Sequence, residues 1–330
     1  MTNTPTGISV IIPNLNGAHF LGPCLASVFE QALPSEDLDV ILIDNASTDG
    51  SAGLVRRDFP AVRIITNSSN IGFTLAVNQG LDAARSALIL LLNNDTVMRP
   101  GALAKLRSVL LDGPEDVAGV QPLLLFAGNP SIVDSAGIAL LPHFRAQDDL
   151  NGRSLAEAPV HTGEIWGTCF GCALIRKAVF DQCGPLDPDF FAEWDDVDFC
   201  LRARWHGYRF LLVPEAQVLH HRSPTSQRDP EAKALRLQRN QMLTYVKSLP
   251  ASMAWGLIAY RFQRDLFMGI HYLRHAELRR VCRAWGQWLA RVPLVLARRR
   301  VLRRRTRLAP SEMKRQIRSF IRNNPTPEVR

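Results

Sequence analysis

The chain lacks any stretch of about 18 consecutive apolar residues, so no segment reads as a membrane-spanning helix. The best candidates, Ala251 to Tyr260 and Leu294 to Ala297, are short and flanked by arginines. Met1 to Gly7 lacks the basic and apolar regions of a signal peptide, which sets a cytosolic expectation. Six cysteines in 330 residues, scattered through apolar or mixed stretches, do not make a disulfide framework, and free thiols are expected. No P-loop pattern occurs. The first apolar run leads into Pro13-Asn14-Leu15-Asn16-Gly17 in place of G-x-G-x-x-G, which argues against a nicotinamide enzyme. Internal repeats are absent. Acidic residues are scarce only at one end: from Glu231 onward 23 lysines and arginines face 5 acids, whereas residues 1 to 230 hold 16 against 26. That split points to an anionic partner for the C-terminal region, membrane surface or nucleic acid, and is silent on the fold. Apolar residues, at 46%, are ample for a core.

Short β-branched runs alternate with longer amphipathic ones. Ile8 to Ile12, Asp39 to Ile43, Val62 to Thr66 and Ala87 to Leu92 predict strands; Ala18 to Gln31, Ser51 to Phe59 and Phe73 to Arg85 predict helices. Such alternation predicts an α/β fold with a parallel sheet and helices on both faces, its ligand beyond the carboxyl ends of the strands. Those ends are polar: Pro13-Asn14, Asp44-Asn45, Asn67, and Asn93-Asn94-Asp95. A helix to about Asp112 and a strand near Val117 to Gln121 follow, and the Gly/Pro/Asp-rich stretch from Gly128 to Gly163 reads as loops and hairpins. Ile165 to Phe180 predicts a strand and a short helix, and Asp195 to His206 a helix with Val197, Leu201 and Trp205 on one face. Arg209 to Val213 and Gln217 to His220 predict two strands. Past Pro230 the pattern is helical through Ala232 to Leu249, Trp255 to Trp288 with interruptions, and Leu294 to Leu308.

Several residues carry chemistry, each with a plainer reading beside it. Asp44 in DNASTDG either recognises a base, with Asn45 nearby, or belongs to an ordinary helix-capping turn. Asn70 and Gly72 turn the chain into a helix on which Asn78 follows. Asp95 stands past an apolar strand, where a carboxylate can ligate Mg²⁺ or Mn²⁺ together with a diphosphate, or simply end a turn. Asp195, Asp196 and Asp198 sit where first-turn acids favour a helix dipole. His220, ending a strand before His221, is either scaffolding or a ligand. Trp166 and Trp194 are either core or an acceptor-side wall. Cys169 and Cys172 form a CxxC with no second pair, which favours small apolar packing over zinc.

The ordered set ISVIIPNLNG, VILIDNASTDGS, NIGFTLAVNQG, LLLNNDT, GCALIRKAVFDQCGPLDPDFF and DDVDFCLRARWHGYRFLLVPEAQVLHH, from Ile8 to Pro224, resembles family 2 glycosyltransferases of the GT-A fold. The similar branch contains bacterial rhamnosyltransferases and galactofuranosyltransferases. The resemblance implies a Rossmann-like, mostly parallel sheet in residues 1–230, with a basic helical region over 231–330. It implies a nucleotide-sugar site formed by Pro13, Asn14, Asp44, Asn45, Asn70, Gly72, Asn78, Asn93 and Asn94. It further implies a divalent cation, Mg²⁺ or Mn²⁺, at Asp95 and His220, Asp196 as catalytic base, and Asp195 beside it on the acceptor side. The family often has an acid where Asn93 stands; a neutral residue there removes one anionic ligand and leaves more of the shell to the nucleotide. The expected partners are a dTDP- or UDP-sugar and a saccharide or lipid-linked saccharide acceptor.

In Arg291 to Leu308 the apolar Leu294, Ala297, Val301 and Leu308 fall roughly on one helix side among arginines, as in a helix lying on an anionic membrane. Peripheral attachment to the inner face of the plasma membrane is the corresponding expectation, with nucleic acid disfavoured. A decayed transferase that binds nucleic acid through its basic end is the rival reading. A sugar-1-phosphate nucleotidyltransferase needs a glycine-rich, arginine-containing first loop that PNLNG does not supply.

Overall fold

The computed structural model describes residues 7–31, 33, 37–222, 229–272 and 275–323. Residues 1–6 and Pro224, where the family-like pattern ends, lie outside them. The expected alternation is present as β1 (Ile8–Asn14), α1 (Ala18–Phe29), β2 (Leu38–Asp44), α2 (Ser51–Asp58), β3 (Arg63–Thr66), α3 (Phe73–Ala83) and β4 (Leu88–Leu92). Side chains alternate along β1: Ile8, Val10 and Ile12 join one core, and Ile11 joins the other across the sheet. Helices α1 and α2 cover the first face, through Leu21, Leu25 and Val55, and α3 covers the second, through Ala76 and Val77.

The chain continues as β5 (Thr96–Met98), α4 (Ala102–Asp112), β6 (Val117–Phe126), β7 (Val133–Ser135), β8 (Ile138–Leu141), β9 (Arg145–Asp148), β10 (Gly163–Ile165), β11 (Cys172–Arg176), α5 (Lys177–Cys183), α6 (Asp195–Trp205) and β12 (Arg209–His220). The main sheet runs β10-β12-β6-β11-β4-β1-β2-β3, with β5 on β12 and β7 on β6. β1 pairs parallel with β2 and β4, and β6 with β12, but β11 enters antiparallel between β4 and β6. The sheet is therefore mixed, with a parallel first half. The stretch from Gly128 to Gly163 holds β7 and the antiparallel pair β8–β9 as well as loops. The two strands expected before His220 are one, because a register shift between Val213 and Gln217 accommodates Pro214 without ending the strand.

Among the described residues four helices follow: α7 (Pro230–Ser248), α8 (Ala251–Tyr272), α9 (His275–Arg305) and α10 (Pro310–Asn323). Asp229 caps α7 by accepting the Ala232 N–H at 2.8 Å, with Pro230 in the first turn. α9 runs through Pro293, where the sequence pattern suggests a break, and α10 lies past Leu308 within the region expected to be helical. Met242 and Leu243 of α7, Trp288 and Val295 of α9 and Ile317 of α10 are buried in the same core as Ile11 and Phe199. Among the described residues, no helix is long and apolar enough to cross a membrane.

Candidate functional site

Parallel register sets the polar ends of the first strands side by side, Asn14 opposite Asp44. Asn14 Nδ2 donates to Asp44 Oδ1 at 3.2 Å and to Ser47 Oγ at 3.1 Å, while its Oδ1 accepts from Asn94 Nδ2 at 2.7 Å. Gly17 makes that bridge possible: a Cβ there would stand 2.1 Å from Asn94 Nδ2. Pro13, half-buried, precedes Asn14 at the strand end. Asn45 Nδ2 donates to the Gly72 carbonyl at 3.3 Å, and Asn70 Oδ1 accepts the Gly72 N–H at 3.0 Å. Gly72 itself adopts φ 86° with Phe191 where a Cβ would go, two reasons for glycine. Pro13, Asn14, Asp44, Asn45, Asn70, Gly72 and Asn94 thus form one neighbourhood. Asn78 departs from its expected place in a nucleotide pocket: its amide is spent on the backbone of Leu186, with Nδ2 to the carbonyl and Oδ1 from the N–H, each at 2.9 Å.

Asp95 and His220 meet because β5 pairs with the end of β12, His220 opposite Thr96, and the His221 N–H donates to the Asp95 carbonyl at 2.9 Å. The turn between β4 and β5 is held by the Asn93 carbonyl, which accepts from the Thr96 N–H at 3.3 Å and hydroxyl at 2.7 Å. His220 Nε2 lies 3.4 Å from Asp95 Oδ1, and its Nδ1 lies 2.7 Å from Oδ2 of Asp134, a fully buried carboxylate on β7. The other Asp134 oxygen accepts from Arg222 Nε, and Arg222 Nη2 reaches Asp148 Oδ2 at 2.6 Å. Burial opposes the imidazolium of His220, but its hydrogen bonds to Asp134 and Asp95 prevail and lift it to about 9.

An imidazole whose Nδ1 is fixed by a carboxylate, with Nε2 facing a second carboxylate, is the arrangement that orients metal-binding histidines. Among the described residues, no three His, Cys, Asp or Glu side chains gather into a complete metal site. Two protein donors suit Mg²⁺ or Mn²⁺, which keep several positions for phosphate and water, so the residues present fit such an ion.

Asp195 and Asp196 open α6 behind a strained approach: Phe191, Glu193 and Trp194 have φ of 64°, 70° and 68°. Asn240 of α7 holds this segment, its Nδ2 reaching the carbonyls of Phe190, Ala192 and Glu193 at 3.1, 2.9 and 2.8 Å. From the other side the Phe191 carbonyl accepts the Thr74 N–H of α3 at 3.1 Å. Asp196 is half-buried, and burial followed by the negative charge of Asp148 pushes it up to about 7. Asp195 is buried and driven well above the carboxylate range, first by burial and then by Asp196.

Three aromatic and acidic residues have structural posts. Trp166 is fully buried, with the Arg204 guanidinium 4.4 Å over its ring and Phe144 and Phe320 at its edges, so it is core and not an acceptor wall. Trp194, 8% exposed, offers little face to a sugar. Asp198 is fully buried and binds Arg202 at 3.0 Å and Lys247 at 2.8 Å. Asp134, Asp148, Arg222 and Asn240 escaped the sequence reading. Only Arg222 had a signal, its position directly after the two histidines.

The glycosyl transferase family 2 model matches residues 9–184. An N-acetylglucosaminyl-diphospho-decaprenol L-rhamnosyltransferase of Mycobacterium tuberculosis (strain CDC 1551 / Oshkosh) is 26% identical over 275 residues, 74% of this chain and 85% of its own length. Glycosyltransferase AglE of Haloferax volcanii is 32% identical over 227 residues, 68% of this chain and 70% of its own. Among solved structures, S. aureus TarS 1-349 in complex with UDP superposes with a TM-score of 0.57 at 14% identity, covering 96% of this chain and 91% of that one. Mannosyltransferase PcManGT from Pyrobaculum calidifontis, in complex with GDP-Man and Mn²⁺, does so at 0.53 and 17%, covering 95% and 84%. These two likenesses are of fold. Since the family model runs through more than half of the sequence, from β1 to the glycine that ends α5, the chain belongs to glycosyl transferase family 2.

Proposed function

We propose that the protein is an inverting, divalent-cation-dependent glycosyltransferase. It moves a sugar, rhamnose-like, from a dTDP- or UDP-sugar to a hydroxyl of a saccharide or lipid-linked saccharide in cell-envelope glycan synthesis. Residues 1–230 carry the chemistry and residues 231–330 brace it. The observation that carries this reading is the run of ionic contacts from Asp95 through His220, Asp134 and Arg222 to Asp148, whose charge bears on Asp196. It joins a cation-holding end to a proton-accepting end.

Asp95 and His220 hold the cation, which when bound neutralises the charge that builds on the departing diphosphate. Asp44, with Asn14 and Asn45, receives the base, accepting from a pyrimidine N3–H. Asp196 takes the proton of the acceptor hydroxyl as that oxygen bonds to the anomeric carbon. The bond from that carbon to the diphosphate breaks on the opposite side, its electrons leaving with the nucleotide, and the configuration inverts once. The relatives lend support: one is a rhamnosyltransferase named for a lipid-linked N-acetylglucosamine, and the solved neighbours carry UDP, or GDP-Man with Mn²⁺.

The test is a panel of nucleotide sugars with Mg²⁺, Mn²⁺ or a chelator, read by diphosphonucleoside release and by protection from thermal unfolding. Cation-dependent protection by a dTDP- or UDP-sugar, lost in Asp95→Ala, supports the reading. Protection that ignores both the cation and Asp95 would refute it.

A further inference from the structure

We propose that the outward face of α8 and α9 is a docking surface for an anionic lipid membrane. The inference stands apart from the sugar chemistry. A helix that packs one face on a core ordinarily presents charge on the other. α8 packs through Ala254, Ile258 and Asp265, yet of its exposed described residues only Arg264 is charged. Trp255, Phe262, Leu266 and Phe267 stand 52 to 55% exposed, a large apolar area to leave in water.

α9 repeats the inversion. Its exposed positions from Gly286 to Ala297 are Gly286, Leu289, Ala290, Pro293, Leu294 and Ala297, without a charge. Arg279 and Arg283 are exposed before this stretch, and Arg300, Arg304 and Arg305 after it. Phe262 meets Trp285 edge-on at 5.6 Å, so the apolar sides of the two helices join. Asp265, the one acid on either helix whose side chain is described, is buried and taken by Arg261, Arg264 and the Trp285 indole. The result is an apolar centre with arginine ends and no exposed carboxylate among those residues of the two helices whose side chains are described.

Charge selects the occupant. The segment 251–305 holds 13 arginines and 2 acids, so two copies of this face repel one another. Nucleic acid would reward cations along a groove, whereas here the middle is aliphatic and the cations stand at the margins. A headgroup layer with hydrocarbon beneath matches both parts. The stripe expected at Leu294, Ala297, Val301 and Leu308 is part of the surface except for Leu308, which packs against the core; the larger share lies on α8.

Flotation of the full chain with phosphatidylcholine vesicles, with and without phosphatidylglycerol, tests the proposal. The wild type is expected to float only with the anionic vesicles. Phe262→Ser/Leu266→Ser/Leu289→Ser should lower the bound fraction roughly tenfold, and Arg300→Glu/Arg304→Glu should do likewise. Circular dichroism and nucleotide release with a soluble acceptor establish that each variant is folded; Leu289→Ser alone serves if the triple variant is not. Failure of the wild type to float overturns the proposal, as does equal flotation of the folded variants. So does a wild-type dimer that the substitutions dissociate, or retention on single-stranded DNA with no vesicle binding. Loss of nucleotide release with flotation intact would bear on the sugar chemistry alone.

Discussion

As the proposed base, Asp196 would act only when ionised, and burial with the charge of Asp148 pushes its carboxyl up to about 7. Because the required form lies above that pKa, kcat/KM should fall about tenfold per unit as pH drops below 7. Asp148→Asn removes a nearby negative charge and should move the midpoint of the profile downward. Asp196→Asn should cost about 10² to 10⁴ in kcat while thermal protection by the nucleotide sugar persists. Asp134 acts one step back. Asp134→Asn should lower cation-dependent protection about 10- to 100-fold in apparent affinity, and Asp134→Glu should recover more than Asp134→Ala; equal behaviour of the three variants would make Asp134 simple filler. The positions of Asp44, Asp95 and Asp196 were legible because each stands where a strongly patterned element begins or ends, while their expected roles came from the family resemblance. Asp134 was not, since its neighbours from Gly128 to Gly163 follow neither a helical nor a strand period, and only tertiary folding brings it to His220.

The segment ahead of α6 is the element on which placement of the base depends. Three non-glycine residues there are held at positive φ, at about 1 kcal/mol or more each, and the Asn240 amide reaches three of the carbonyls. Asn240→Ala takes the donor from the half-buried Ala192 and Glu193 carbonyls, while the Phe190 carbonyl keeps the Ala192 N–H and Arg239 Nη2. It should lower Tm and reduce kcat at least about tenfold with little change in KM for the nucleotide sugar, as steady-state kinetics with calorimetry would record. The early elements were readable to within a few residues, their periods being clean and their caps ordinary. Prediction lost accuracy where pairing was non-local. Nothing local in Cys172–Arg176 tells whether β11 runs with or against its neighbours, and Pro214 looked like a strand end until the β6 register absorbed it.

Across the whole molecule, buried charge ties the halves together. Lys247 of α7 lies between Asp187 at 2.6 Å and Asp198 at 2.8 Å, and Arg298 of α9 also binds Asp187. Burial resists the Asp187 charge, but Lys247 and Arg298 overcome it and hold the group well below the usual carboxylate range. Its contribution to stability is thus present above the ordinary pKa near 4 and lost as pH falls further. Lys247→Met should destabilise by about 2 to 3 kcal/mol at neutral pH, since it takes a charged hydrogen-bond donor from two buried carboxylates and leaves Arg298 to Asp187 and Arg202 to Asp198. Denaturant titrations at pH 7 and pH 3 should show the difference narrowing in acid.

The same ties bear on any attempt to separate reaction from anchorage. Asn240 and Lys247 belong to α7, and Arg299 of α9 caps the carbonyls of Val246 and Leu249 that end it. A protein cut at residue 230 would be silenced even toward a freely dissolved acceptor, because the scaffold beneath the proton-accepting loop would go with the helices. Loss of turnover on truncation is therefore no measure of what a lipid surface contributes.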